Sequence, residues 1–468
     1  MKRRLAAWGI ALLAILLILP ISAVRADADA QDLTACCHID GDADGDTLAT
    51  LSDNDVGTWV ELPPDRVLTI RWEDAVCGGI LLEWLDIPDK YWVSFANGEN
   101  KTLFDDPYAL NDYLSIPDDA TSLKLGCPEG ERLCGFRLFG LGELPQDLQQ
   151  WQRPAPGVDL MLFSAHCDDE LVFMGGVLPT CIAEGRNVQV VYFAASRARM
   201  EEGLAGLWAI GVRNAPIFLG YRDILAENMD DQIRVWGGWT SIERKIVTLL
   251  RVYRPLVVVT HDTNGEYGHG AHFVASRALR FAVKDAASDA LFPLEGQETV
   301  YWQVYKCYLH MYTKDAVRFD FDRPLASYDG KTANEVAQIG LDCHVSQHDH
   351  YPSVHVSGTF DGHLWGLFLS TVGAEEHGLS FFENIPTDVL SKRYEPTPTP
   401  TATPNATAVP AQARSDSAAT PVPQPTDAPD AVETADRTDG NWLWIVLGTI
   451  AAAAVVLGVF LLRRMRKR

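Results

Sequence analysis

Two short apolar runs, residues 158–163 and 256–260, each lead to a cluster of side chains able to bind a metal ion. The first hands over to Ser164-Ala165-His166-Cys167-Asp168-Asp169-Glu170, the second, a few residues on, to Gly265-Glu266-Tyr267-Gly268-His269-Gly270-Ala271-His272. Runs of this length rich in Val and Leu suit strands buried on both faces, and helix-like sequence follows each cluster. That arrangement points to an open α/β sheet, because such sheets collect ligands at the carboxyl ends of their parallel strands. Alone, an Asp-Asp pair is usually a solvated turn and a His-x-x-His a surface helix face. Their common placement after buried strands gives them chemical meaning.

A divalent ion that keeps a position open for water takes three protein ligands, often imidazole mixed with carboxylate, and works with an unligated base close by. His166, Asp169 and His272 supply such a set. Adjacent carboxylates on a turn point different ways, so Asp169 can ligate while Asp168 stays free to accept a proton. His269 lies three residues before a ligand, near enough to stabilise an oxyanion.

These segments resemble the PIG-L/LmbE deacetylases, zinc enzymes that remove acetyl groups from N-acetylglucosaminyl substrates. The family's Ala-His-Pro-Asp-Asp-Glu is matched by Ala165-His166-Cys167-Asp168-Asp169-Glu170, departing only at Cys167, and its late Gly-Glu-Tyr-Gly-His and His-x-x-His by residues 265–272. The resemblance implies His166, Asp169 and His272 as zinc ligands, Asp168 as general base and His269 as the electrophilic or acid histidine. A further family pattern is similar to Arg199, Glu202, Gly206 and Ile210-Gly211, which implies that Arg199 holds substrate hydroxyls. Tyr267 matches a pocket tyrosine, Asp223 is a weaker match for sugar contact, and His344-Val345-Ser346-Gln347 faintly resembles a motif near the end of the family domain. Proline at 167 would stiffen the turn that aims both carboxylates. Cysteine there reads as a small buried filler, although a thiolate would also ligate zinc.

The chain ends bear on location. Three basic residues among the first four precede an apolar stretch over 5–24 and small-residue cleavage sites, the pattern of a signal peptide over residues 1–28. Residues 442–462 are uninterruptedly apolar and long enough to cross a bilayer, and the tail over 463–468 is basic. Basic flanks stay cytoplasmic, so the expected topology is a single-pass membrane protein with its ectodomain outside. The Pro- and Thr-rich stretch over 395–441 reads as a semi-extended linker. A net charge of −24, more acidic still between the basic ends, argues against a nucleic-acid partner.

Residues 31–150 carry short alternating runs at 58–62, 67–72, 80–85, 91–95 and 136–139, separated by turn clusters such as Pro63-Pro64-Asp65 and Asn97-Gly98. This spacing predicts an antiparallel β-sandwich. The segment 51–62 loosely resembles discoidin-type, galactose-binding-like modules, which implies glycan contact; a purely packing role weighs equally. Asp40, Asp42, Asp44 and Asp46 lack the Glu that an EF-hand places at its twelfth position, where Leu51 stands, so a solvated acidic turn is expected. Nine cysteines permit disulfides, with Cys127–Cys134 and Cys36 or Cys37 with Cys77 among the open pairings. His344, His348, His350 and His355 read as an exposed loop.

The expectation is therefore α/β, with a Rossmann-like, mostly parallel sheet flanked by helices in a deacetylase domain over 155–392, preceded by a β-sandwich domain. Its expected function is zinc-dependent deacetylation of an N-acetylated sugar or glycan, with another divalent metal such as iron or cobalt accepting the same donors. The rivals are a metal amidase on another amine conjugate and a non-catalytic glycan-binding protein.

Overall fold

Alternation of apolar residues builds the N-terminal region. Its strands are β1 (Cys37–Ile39), β2 (Val60–Leu62), β3 (Val67–Trp72), β4 (Cys77–Trp84), β5 (Tyr91–Phe95), β6 (Thr102–Phe104), β7 (Asn111–Ser115), β8 (Ser122–Gly126) and β9 (Glu131–Gly140). They form two antiparallel sheets, ordered β1-β3-β8-β5-β6 and β2-β9-β4-β7. Leu68, Ile70 and Trp72 of the first sheet and Ile80, Leu82 and Trp84 of the second, each spaced by two, enter one shared cluster. Leu81 and Phe139 point to the second sheet's other face, where Ala30 and Leu148 cover them.

The computed structural model describes residues 29–41, 45–73, 75–95, 101–224, 226, 228–288, 291–293 and 300–391. The expected signal segment, the Asn97-Gly98 turn, Asp42 and Asp44, the linker, the membrane span and the basic tail lie outside the described residues. No helix among the described residues is long and apolar enough to cross a membrane.

The second region adds β10 (Leu160–Ser164), β11 (Val188–Ala194), β12 (Ile217–Tyr221), β13 (Val257–Thr260), β14 (Lys306–His310), β15 (Ala316–Arg318) and β16 (Leu364–Ser370) in one sheet, ordered β12-β11-β10-β13-β14-β16-β15. The first five strands in that order pair in parallel, while β16 runs antiparallel to both β14 and β15. Leu160, Leu162, Val257 and Val259 face a layer that includes the helices Val177–Ala183, Arg197–Ala209 and Ala333–Leu341. Met161, Phe163 and Val258 face the opposite layer, with the helices Trp239–Tyr253 and Gly270–Asp285. Both faces are buried, which is why these strands read as continuous apolar runs. From β10 the chain winds outward through β11 to β12, then returns to β13 on the other side of β10. That reversal opens a crevice at the carboxyl ends of β10 and β13.

The two regions meet along the Arg197–Ala209 helix. Arg197 donates to the carbonyl of Trp84 at 2.8 Å, Trp208 Nε1 to that of Gln146 at 2.7 Å, and Trp151 stacks edge-on against Trp208 at 5.3 Å. Ala109, Leu110 and Trp151 belong to the cluster on the Leu160 face of the α/β sheet.

Two sequence expectations are corrected. All nine cysteines are free thiols, eight of them at least partly buried, so neither Cys127–Cys134 nor a Cys77 pairing is formed. The late histidines are not uniformly exposed: His344 is fully buried and His355 stacks on Phe173 at 5.3 Å, leaving only His348 and His350 in solvent.

Candidate metal centre

The turn after β10 separates the two adjacent aspartates. His166 N–H donates to Asp169 Oδ2 at 2.9 Å, curling the chain so that this carboxylate lies 3.0 Å from His166 Nδ1. Asp168 has φ of +154°, a conformation that costs a non-glycine residue on the order of 1–3 kcal/mol and persists where neighbours enforce it. Glu170 does so here. Its Oε2 accepts from the Asp168 N–H at 3.1 Å, while its Oε1 accepts from the Tyr192 hydroxyl at 2.6 Å. Asp168 is thereby turned to Arg199, whose Nη2 donates to its Oδ1 at 2.5 Å and whose Nη1 donates to Asp223 at 2.9 Å.

The second segment arrives from β13 through a loop in which Gly265 and Gly268 take positive φ; a Cβ on Gly265 would meet the His269 carbonyl at 2.9 Å. His269 is the cap residue of the Gly270–Asp285 helix, and His272 lies in its first turn. His272 Nε2 reaches within 3.2 Å of Asp169 Oδ2, so a single carboxylate oxygen contacts both imidazoles.

Three ligands about 2.1 Å from a tetrahedral ion lie roughly 3.4 Å apart, close to these separations. His272 Nε2 is also buried without a hydrogen-bond partner, as a nitrogen reserved for a metal would be. Donor atoms of His166, His269 and His272, and of Asp169, His261 and His272, fall within 4.8 Å of one another. The residues present fit a divalent ion.

Electrostatics separates the aspartates further. Burial would raise both, but His272 and His166 hold Asp169 well below the usual carboxylate range. Asp168 is pushed well above it by burial and by the charge of Asp169, which outweigh Arg199. Burial, with His166 and His272 close by, lowers His269 to about 4. His272 goes the other way, to about 10, because Asp169 and Glu266 outweigh its burial. Cys167 is fully buried, and burial raises its thiol well above the ordinary value. It packs where a Cβ on Gly203 would come within 3.3 Å of its sulfur, the filler reading rather than a thiolate ligand.

All eight residues singled out in the sequence converge. His166, Asp168, Asp169, Arg199, Asp223, Tyr267 and His269 line one cleft, and His272 lies fully buried beside it. Arg199 is committed chiefly to the two carboxylates, an ion-pair role that its spacing did not suggest.

Sequence reasoning assigned no role to Gln347 and Tyr351, which also line the cleft. Glu202 brings them there by accepting from the Ser346 N–H at 2.7 Å and the Ser346 hydroxyl at 2.6 Å. The faint His344–Gln347 motif was the only available signal for that segment. Glu266, His261 and His310 were likewise unassigned. Their signal was position, with His261 and His310 at or just past strand ends and Glu266 inside the quoted motif.

The fold and cleft define an open α/β domain with a His/Asp cluster fit for a metal ion at the point where strand order reverses. Residues 161–283 match the family described as PIG-L: GlcNAc-PI de-N-acetylase. The chain is 29% identical over 184 residues to "1D-myo-inositol 2-acetamido-2-deoxy-alpha-D-glucopyranoside deacetylase 1" of Catenulispora acidiphila, covering 33% of this chain and 56% of that protein. It is 32% identical over 184 residues to the like-named deacetylase of Geodermatophilus obscurus, covering 33% of this chain and 61% of that protein. The matched stretch is thus under two thirds of either relative. Among solved structures, N,N'-diacetylchitobiose deacetylase from Pyrococcus horikoshii aligns with 18% identity and a TM-score of 0.32, over 40% of this chain and 70% of that one.

Proposed function

We propose that this chain is a metal-dependent deacetylase that hydrolyses the acetamide of an N-acetylglucosaminyl-type sugar or glycoconjugate, with zinc as the resident ion. The observation that carries this reading is the division of labour between neighbouring carboxylates: Asp169 Oδ2 bridges His166 and His272, while Asp168 is turned away onto Arg199. The named relatives, all deacetylases of an acetamido sugar, supply the substrate class.

His166, Asp169 and His272 would hold the ion, which when bound supplies Lewis-acid polarisation of the carbonyl and acidifies water. Asp168 accepts the proton of the attacking water through the oxygen that Arg199 does not occupy. His269, neutral at pH 7, faces the developing oxyanion as a hydrogen-bond donor. Asp168 or His269 returns a proton to the departing nitrogen, so water and acetamide become acetate and a free amine. Asp223, Tyr267 and Arg199 border the space where sugar hydroxyls would lie.

The N-terminal unit reads as a β-sandwich because its two antiparallel sheets share one core, and its loose discoidin resemblance makes glycan contact its candidate role. Membrane anchoring with an outward-facing ectodomain rests on the sequence of residues 1–28 and 442–468.

Acetate release over a panel of N-acetylated sugars and chitooligosaccharides, with and without added zinc, tests the activity. Release from non-sugar acetamides alone would favour a different amidase. Glycan binding without any release would favour a non-catalytic protein.

A further inference from the structure

We propose that Glu266 is a positioning residue that holds the proton of His272 on Nδ1, and thereby makes Nε2 the nitrogen of His272 that binds the metal. The inference rests on the metal-site reading above and extends it to side chains behind the ligands.

The Glu266 carboxylate is fully buried and accepts four hydrogen bonds. Oε2 faces His261 Nδ1 at 3.0 Å and His272 Nδ1 at 2.6 Å. Oε1 faces His310 Nδ1 at 3.0 Å and the Asp262 N–H at 3.0 Å. A carboxylate has about four lone-pair sites, so it is saturated. The backbone at Glu266 takes φ of +43°, left-handed for a non-glycine residue, to bring the carboxylate under the three rings.

Two of the tautomers follow from donors and acceptors whose identity is fixed. Ala165 N–H donates to His261 Nε2 at 2.8 Å; a backbone N–H only donates, so that nitrogen bears no proton and the proton of His261 is on Nδ1. Both nitrogens of His261 are spent. Although His261 Nε2 lies 3.8 Å from Asp169, His261 has no lone pair left for an ion. His272 also gives its Nδ1 proton to Glu266, so Nε2, beside Asp169, is the nitrogen that gives up its proton to turn a lone pair on an ion. The Ala165 N–H thus excludes His261, whose ring centroid is only 4.2 Å away, while Glu266 directs Nε2 of His272 to the ion.

Glutamine at 266 cannot reproduce this. The Asp262 N–H requires an acceptor at the Oε1 position, so the amide nitrogen would sit at the Oε2 position, opposite two imidazole N–H groups. His261 cannot exchange its proton, because Ala165 holds its other nitrogen. His272 can, and would then carry its proton on Nε2, where the metal must bind.

The test uses the full-length chain, zinc(II) competed against a chelator, and the variants Glu266→Gln and His272→Ala. Glu266→Gln is expected to weaken zinc binding about 10–100-fold, the usual effect of losing such a supporting hydrogen bond, with an unchanged far-UV spectrum. His272→Ala should lose zinc as well. Wild-type zinc affinity in Glu266→Gln beside a loss in His272→Ala overturns the role of Glu266 alone, whereas full affinity in both overturns the metal-site reading. Loss of zinc only in proportion to unfolded protein also overturns the positioning role. Should the glutamine variant not fold, 15N-histidine NMR of the zinc-loaded wild type decides. Nδ1–H is expected at both His261 and His272, with His272 Nε2 on the metal, and an Nε2–H signal from His272 in the zinc-loaded protein refutes the proposal.

Discussion

At the scale of single residues, the site works because two chemically identical neighbours are made different by their surroundings. Asp169 is drawn into the imidazoles and Asp168 is held off by Glu170 and Arg199. Asp168→Asn should therefore retain zinc while turnover falls by roughly 10²–10⁴, the usual worth of general acid-base catalysis; metal analysis beside an acetate assay checks both halves. Near-normal turnover in a zinc-replete variant would remove Asp168 from the mechanism. Asp169→Ala should instead lose zinc, because it deletes one of the three proposed ligands, and full occupancy by elemental analysis would exclude that assignment.

At the scale of elements, close helix contact and buried titrating pairs set stability. The Arg197–Ala209 helix crosses the Ala333–Leu341 helix through Gly206, where an added Cβ would stand 2.7 Å from the Gly340 carbonyl and 3.0 Å from His344 Nε2. Alanine normally gains about 1 kcal/mol over glycine inside a helix. Here the backbone oxygen cannot give way, and overpacking of about 1–3 kcal/mol should prevail. Gly206→Ala is expected to lower the thermal midpoint, and a rise would mean the helices can separate without cost.

In the N-terminal sheets, Tyr91 donates to Asp112 at 2.5 Å, and burial holds the Asp112 carboxyl above its ordinary value. A carboxyl raised in the folded state contributes stability that is present at low pH and lost as pH rises through the folded value. Asp112→Asn keeps the acceptor and removes the titration, so its thermal midpoint relative to wild type should improve more at pH 8 than at pH 4. An equal effect at both pH values would show that Asp112 ionises freely in the fold.

At the scale of the whole molecule, the Arg197–Ala209 helix carries Arg199 into the cleft while Arg197 grips the Trp84 carbonyl of the β-rich region. The N-terminal region thus contacts the same helix as the chemistry. If the ends of the chain act as their sequence indicates, protease added to intact cells should cut within residues 395–441 and release an active soluble fragment. Protection in whole cells with cleavage after lysis would show that the orientation or surface access is otherwise.

How much could be read in advance depended on whether the information was local in the chain. The α/β class was legible because strands buried on both faces leave unbroken apolar runs, and β3 and β5 were legible to the residue because turn clusters bound them. Six of the site residues, His166, Asp168, Asp169, Tyr267, His269 and His272, were legible because two short motifs place donors at strand ends, where an open sheet gathers its ligands, whereas Arg199 and Asp223 came only from the family resemblance. Sequence could not show that the strand order reverses at β10, that β16 closes the sheet antiparallel, or that the cysteines stay unpaired, since these depend on which distant segments meet. Nor could it show that Arg199 would be spent on two carboxylates, that Glu202 would carry Gln347 to the cleft, or that Glu266 would gather histidines from three separate segments. Donor types and their spacing are written along the chain. Which lone pair is left free is decided by hydrogen bonds between residues far apart in sequence, and only the folded structure brings those together.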